Sequence, residues 1–240
     1  MPQPREIQAL VFDVFGTLVD WRNSVAREAR QHLAALAPPD TDWLAFADAW
    51  RGEYQGAMEA VRSGQLPYTR LDALHRRNLD IVLARQPWGA LVDEARRQRL
   101  NTAWHRLDAW PEVGPALQRL RAGGHLLAPC SNGNISLMAR LARHNDWHWD
   151  AILGAEIARD YKPKPGVYLA AAAALDLAPA QVLMVAAHGS DLVAAAAAGL
   201  ATAFIARPDE HGPGRGETEP GAPVDWQAAD LAALAKLLLA

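Results

Sequence analysis

Short apolar runs recur along this chain, each followed by a stretch with helical spacing. The runs cover residues 7–12, 125–130, 181–185 and 201–205, with a weaker one at 151–153. None carries an interior charge and turn residues bound each, the pattern of strands covered on both faces. Helical spacing appears over 113–122, 136–144, 166–175 and 191–198. The last two stretches are rich in alanine, which favours helix and lets a helix approach a sheet closely. Gly199 is placed to stop the final one. This alternation predicts an α/β fold: a Rossmann-like parallel sheet with helices on both faces.

Residues 21–107 break the rhythm. Helical periodicity dominates there, charges are plentiful, and the breaks fall at 37–40, 63–67 and 86–89. Inserted after the first strand, these helices are expected to form an all-helical cap over the carboxyl edge of the sheet. The predicted division is a core of residues 1–20 and 108–240 and a cap of 21–107. The Gly-, Pro- and acid-rich stretch 210–223 reads as an exposed loop, and 226–239 as an amphipathic tail helix. No solenoid-type repeat is present.

Composition narrows the class. The 240 residues are 50% hydrophobic with a formal charge of -3, and acids and bases are interspersed, so no nucleic-acid surface is expected. The start, Met-Pro-Gln-Pro-Arg-Glu, does not read as a secretory leader, and no apolar run is long enough for a bilayer, so a cytoplasmic protein without membrane partners is expected. The single Cys130 rules out an internal disulfide and a multi-cysteine metal site. The nine tryptophans are read as core or interface packing.

Four separated segments place polar residues where strands end: Asp13 to Thr17, Ser131-Asn132, Lys162-Pro163, and His188 to Asp191. Asp13 closes the first apolar run, at the edge where open α/β sheets hold their ligands. Together the segments supply a carboxylate nucleophile, hydroxyl and amide donors, a fixed cation and a second acid. A carboxylate that forms a covalent intermediate needs neighbours that orient it and stabilise the charge that moves. A nearby lysine keeps such an acid ionised. Two residues after Asp13 stands Phe15, which can neither donate nor accept a proton.

In these four motifs the chain resembles the haloacid dehalogenase superfamily over essentially its whole length. Phe12-Asp-Val-Phe-Gly-Thr-Leu-Val-Asp20, Trp50-Arg51 and Tyr161-Lys-Pro-Lys-Pro-Gly-Val-Tyr168 resemble most closely the type II (S)-2-haloacid dehalogenases. The resemblance implies hydrolysis of short (S)-2-haloacids to 2-hydroxy acids through an aspartyl ester on Asp13, with no metal or cofactor, by a homodimer. It implies that Arg51 receives the halide beside Phe15, and that Ser131 and Asn132 bind the substrate carboxylate. Lys162 holds Asp13 in position, Thr17 and Tyr168 orient the site, and Asp191 orients or activates the hydrolytic water.

The main competitor is a magnesium-dependent phosphatase of the same superfamily. Such enzymes carry a second aspartate where Phe15 stands, and usually an acid four residues before Asp191, where this chain has Ala187. Both losses weaken a hard-cation site and phosphoryl transfer with it. Plainer readings compete residue by residue. Thr17 and Ser131 are also good helix caps, Arg51 a surface ion-pair residue beside Glu53, Lys162 a loop cation, Tyr168 core packing, and Cys130 a buried thiol. The chain also departs from the better-known type II members, with Ala186 and His188 for a serine and an asparagine, Ser190 for a tryptophan, and Gly52 after Arg51. His188 reads as a halide donor if protonated, a water-orienting group if neutral, or a structural histidine. The altered pocket leaves open fluoride as a leaving group. It equally leaves open the opening of a strained cyclic amino acid, such as azetidine-2-carboxylate, by the same ester chemistry.

Overall fold

The computed structural model describes residues 6–240; the first five, where the expected core and the reading of the N-terminus begin, lie outside the described residues. Strand β1 (Ala9–Phe12) sits inside a six-stranded sheet, and every one of its side chains is buried. The strands β2 (Val19–Asp20) and β3 (Asp108–Ala109) form a separate antiparallel pair. The sheet is completed by β4 (Leu126–Ser131), β5 (Leu153–Gly154), β6 (Val182–Ala186), β7 (Ala201–Ile205) and β8 (Trp226–Ala228). Its order is β5-β4-β1-β6-β7-β8 and all neighbours are parallel.

Alternation along β1 sends its side chains to two cores. Ala9 and Val11 pack with Val167, Ala171, Ala172 and Ala195 of the alanine-rich helices α9 (Pro165–Ala174) and α10 (Gly189–Ala197). Leu10 and Phe12 pack on the opposite face with leucines of α6 (Val113–Ala122), α7 (Ile135–His144) and α11 (Leu231–Leu238). The short α8 (Ala155–Ala158) follows β5 directly. Each fully buried leucine here contributes roughly 1.5–3 kcal/mol.

Between β2 and β3 the chain makes a helical excursion: α1 (Trp21–Leu33), α2 (Trp43–Gly52), α3 (Tyr54–Arg62), α4 (Leu71–Ala84) and α5 (Glu94–Asn101). Asp20 and Asp42 cap α1 and α2, each accepting from backbone N–H groups of the first turn. The pairing of Val19 with Ala109 and Asp20 with Asp108 brings the two ends of the excursion together. A cluster of rings then fastens the excursion to the turn after β1. Phe15 meets Trp104 edge-on at 5.8 Å, and Trp104 in turn meets Trp50 at 5.4 Å and Trp21 at 6.4 Å.

Two expectations are corrected. The predicted tail helix over 226–239 begins with a strand: Trp226–Ala228 pairs with Ala203–Ile205, and the helix starts only at Leu231, capped by Asp230. Backbone pairing on the open edge of β7 outweighs the helical spacing there. The stretch 210–223 is not wholly an exposed loop. Its tip is exposed, but Glu210 is buried beneath it.

Candidate active site

Register brings the functional residues to one level. Phe12 lies opposite Pro129 of β4 and Val185 of β6, so the three strands end within two residues of one level. Asp13 and Ala187-His188 follow the ends of β1 and β6, Ser131 closes β4 with Asn132 after it, and the Asp13 N–H donates to Val185 O at 2.9 Å. Because β4 and β6 leave β1 in opposite directions, Asp13 stands at the switch point of the sheet.

Asp13 is buried and fully engaged. Its Oδ1 accepts from Lys162 Nζ at 2.9 Å, and its Oδ2 from Thr17 Oγ1 at 2.8 Å. His188 Nδ1 lies 3.0 Å from the same Oδ2. Lys162 Nζ also donates to Asp191 Oδ2 at 2.5 Å, and the Tyr168 hydroxyl donates to Asp191 Oδ1. Thr17 Oγ1 also accepts the Ala187 N–H at 3.0 Å, which ties the turn after β1 to the end of β6. Asn132 Oδ1 accepts the Lys162 N–H at 2.9 Å and so fixes the lysine loop, while Ser131 Oγ accepts from Gly133 N at 3.0 Å.

The electrostatics follow from this crowding. Burial alone would raise the Asp13 pKa, but the Lys162 ammonium and His188 reverse that and hold it well below the carboxylate range. Burial opposes the charge on Lys162 too, yet Asp13 and Asp191 raise its pKa well above the ordinary value. His188 behaves likewise: burial disfavours its charge, but hydrogen bonds to Asp13 and Glu210 raise its pKa to about 10. Tyr168 keeps its proton, because burial and Asp191 both push its pKa up. Burial lifts the Cys130 thiol to about 12, which leaves it a packing residue.

Over this network lies a cavity of about 380 Å³. Asp13, Lys162, Asp191, Asn132, His188 and Phe15 face it from the sheet side, and Arg51 from α2. Thr17, Ser131 and Tyr168 are fully buried and do not line the cavity; Thr17 and Tyr168 bond to the lining residues Asp13 and Asp191, and Ser131 to its own turn at Gly133. Arg51 is not a solvated surface residue. Its guanidinium lies 3.9 Å from the Tyr54 ring centre and 5.4 Å from that of Trp21, and its Nη1 is buried without a partner.

Some site residues have no precedent in the motif reading. Tyr54, Gln55 and Arg62 of α3 line the cavity, and Arg62 Nη1 donates to Lys162 O at 2.7 Å. The Arg51–Tyr54 spacing of three was a readable helical-neighbour signal. Glu210 is the larger omission. Its Oε2 lies 2.8 Å from His188 Nε2 and its Oε1 accepts from Trp21 Nε1 at 3.0 Å. Gly16, at φ 85°, passes so close that a Cβ there would overlap the Glu210 carboxylate. Glu217, from the same loop, lines the cavity and accepts the Gly189 N–H at 2.9 Å.

A parallel sheet with an ionised, buried carboxylate at its switch point, held by a lysine and facing a cavity, is the arrangement an aspartate nucleophile requires. The chain belongs to the haloacid dehalogenase-like hydrolases: the sequence model of that family matches residues 7–199. It is 29% identical to (S)-2-haloacid dehalogenase 1 of Pseudomonas sp. (strain CBS-3), covering 97% of each chain. It is 28% identical to (S)-2-haloacid dehalogenase 4A of Burkholderia cepacia, covering 84% of each. The structure superposes on the defluorinating L-2-haloacid dehalogenase Rha0230 with a TM-score of 0.91 and 43% identity, over 98% of this chain and 96% of that one. The HAD-hydrolase YfnB of Bacillus subtilis, solved with magnesium, shares the fold at a TM-score of 0.72 and 18% identity.

The residues here do not fit magnesium. The Lys162 ammonium already stands between Asp13 and Asp191, and His188 adds a second positive charge on Asp13. Phe15 offers a ring where an oxygen donor is needed, and no group of three His, Cys, Asp or Glu suited to a metal occurs among the described residues.

Proposed function

We propose that this protein hydrolyses short-chain (S)-2-haloacids to 2-hydroxy acids of inverted configuration, without a metal, through an ester on Asp13. The observation that carries the reading is the pairing of two opposed features across one cavity. On one side is an ionised carboxylate followed two residues on by Phe15 in place of a second aspartate. On the other is a guanidinium in an aromatic box with a buried N–H awaiting an anion.

Asp13 attacks the α-carbon from behind; the C–halogen bond breaks and its electron pair leaves on the halide, which Arg51 receives beside Phe15 and Tyr54. Carbon attack needs no proton donor for chloride or bromide, so Phe15 is tolerated where a phosphatase needs an acid. Water then attacks the ester carbonyl with Asp191 as its base, while Lys162 stays on the oxygen that becomes the product hydroxyl. Asn132 and Ser131 are assigned to the substrate carboxylate, with Ser131 acting through its turn. Residues 21–107 are read as a cap that closes the cavity over the core of residues 1–20 and 108–240. The family resemblance supports a cytoplasmic homodimer.

Fluoride as a leaving group is a second reading. It rests on the 43% identity to the defluorinating enzyme. Halide release from 2-chloropropionate and fluoroacetate in EDTA, read beside phosphate release from p-nitrophenyl phosphate with added magnesium, tests both readings. Phosphate release without halide release would sink them. A single turnover in ¹⁸O-water should place the label in the Asp13 peptide; label only in the product would rule out the ester.

A further inference from the structure

We propose that His188 is a catalytic residue for the second half-reaction, donating to the oxyanion on Asp13, and that Glu210 is the positioning residue that keeps it a donor. The inference rests on the dehalogenase reading above and assigns the ester-opening step.

The two Asp13 oxygens are not equivalent. Oδ2 faces two donors, Thr17 Oγ1 and His188 Nδ1, whereas Oδ1 faces Lys162 alone. The less engaged Oδ1 is the better nucleophile, and Oδ2 becomes the carbonyl oxygen of the ester. When the water oxygen bonds to Cγ, the Cγ–Oδ2 π pair moves onto Oδ2, between Thr17 and His188. Asp191 takes one water proton. Collapse re-forms the carbonyl and breaks Cγ–Oδ1, and the departing oxygen takes that proton as the product hydroxyl. Regenerated Asp13 releases the remaining proton. The donors on Oδ2 are therefore bound more strongly in the transition state than in the ester, which is the condition for catalysis.

Glu210 matters because of what the ester removes. In the resting site His188 has two carboxylate partners, Asp13 at 3.0 Å and Glu210 at 2.8 Å. Once Asp13 is esterified it is neutral, and Glu210 alone remains to hold the imidazole proton when the oxyanion needs it. Its placement is built: it is buried, bonded to Trp21, and accommodated by Gly16. The other charged groups around the pair are Lys162 and Asp191 beyond Asp13, Glu217 at the Gly189 N–H, and Arg51 and His211 near Glu210.

The test uses Glu210→Gln and His188→Leu in the full-length enzyme with 2-chloropropionate. In Glu210→Gln the first halide should still appear as a burst of about one per site, with the Asp13 ester visible by mass spectrometry. Its subsequent turnover should fall about tenfold per pH unit above pH ~7, as His188 returns toward its ordinary range, and recover toward wild type near pH 6. His188→Leu should keep the burst and turn over about 10²–10³-fold more slowly at all these pH values. A Glu210→Gln profile parallel to wild type, or a His188→Leu variant without an accumulating ester, would overturn the inference and leave the dehalogenase reading standing. A wild-type enzyme that releases no halide from any haloacid would overturn both. If Glu210→Gln does not fold, the ester readout on His188→Leu decides.

Discussion

The cavity has two walls of opposite character. On the sheet side, Asp13, Thr17, Lys162, Tyr168, Asp191, His188 and Glu210 form a chain of hydrogen bonds complete before any substrate arrives. On the helical side, Arg51, Tyr54, Trp21 and His75 pack through their rings, against Phe15 of the sheet side, and the Arg51 Nη1 and both His75 nitrogens are buried without partners. Leaving a buried polar atom unpaired costs about 1–3 kcal/mol. The sheet wall is thus preorganised for charge that stays with the protein. In the proposed reaction the Arg51 Nη1 of the helical wall is the site for charge that arrives from outside.

Removing the nucleophile should break the sheet wall most severely. Asp13→Asn keeps the shape but leaves Lys162 and His188 without their shared carboxylate, and halide release should fall roughly 10⁴-fold or more. A rate within tenfold of wild type would move the nucleophile elsewhere. Next in size is the open wall. Arg51→Ala should slow the first halide release by roughly 10²–10³-fold, as loss of a donor to developing charge does elsewhere. Arg51→Lys should recover only part of this, because an ammonium neither stacks on Tyr54 nor offers the same planar fork. Full recovery would reduce Arg51 to a simple point charge.

The two walls were unequally legible in the sequence. Asp13, Lys162 and Asp191 could be read because each sits at a strand end or helix start within a short motif, where local pattern and chemistry coincide. Arg51 was readable as a residue but not as an environment, since its box is drawn from α1, α2, α3 and the turn after β1. Glu210 was not readable at all. Its partners His188 and Trp21 lie 22 and 189 residues away, and an acid in a Gly- and Pro-rich stretch has the appearance of a solvated loop. Strand β8 was hidden for a related reason. Three residues carry no period of their own, and the spacing of Leu231, Leu234 and Leu238 behind them is that of a helix.

Stability should follow pH through the sheet wall. The folded-state pKa of His188, about 10, lies above its ordinary 6.5. The stabilisation from its pairs is therefore fully present below about pH 6.5 and is lost as pH rises through about 10. Asp13 works in the other direction: its pKa is lowered from 3.8, so its contribution is present above that value and disappears on strong acidification. Melting temperatures from pH 6.5 to 10.5 should fall in the wild type and vary less in His188→Asn. Parallel curves would remove His188 from the stabilising network.

The smallest effect separates the open atom assigned to the departing halide from those with no assigned role. Arg51 lines the cavity, whereas His75 lies behind it, stacked on Trp104 at 4.2 Å. Burial lowers the His75 pKa to about 3, so the ring is neutral, and neither nitrogen has a partner. His75→Phe keeps an aromatic ring among Phe15, Tyr54, Trp50 and Trp104 while removing the unpaired polar atoms. It should raise stability by about 1 kcal/mol, measured by denaturant titration, with halide release within about threefold of wild type. A stable variant that loses about thirtyfold or more in the first halide release would place His75 with Arg51, as a second donor to the anion held by that wall.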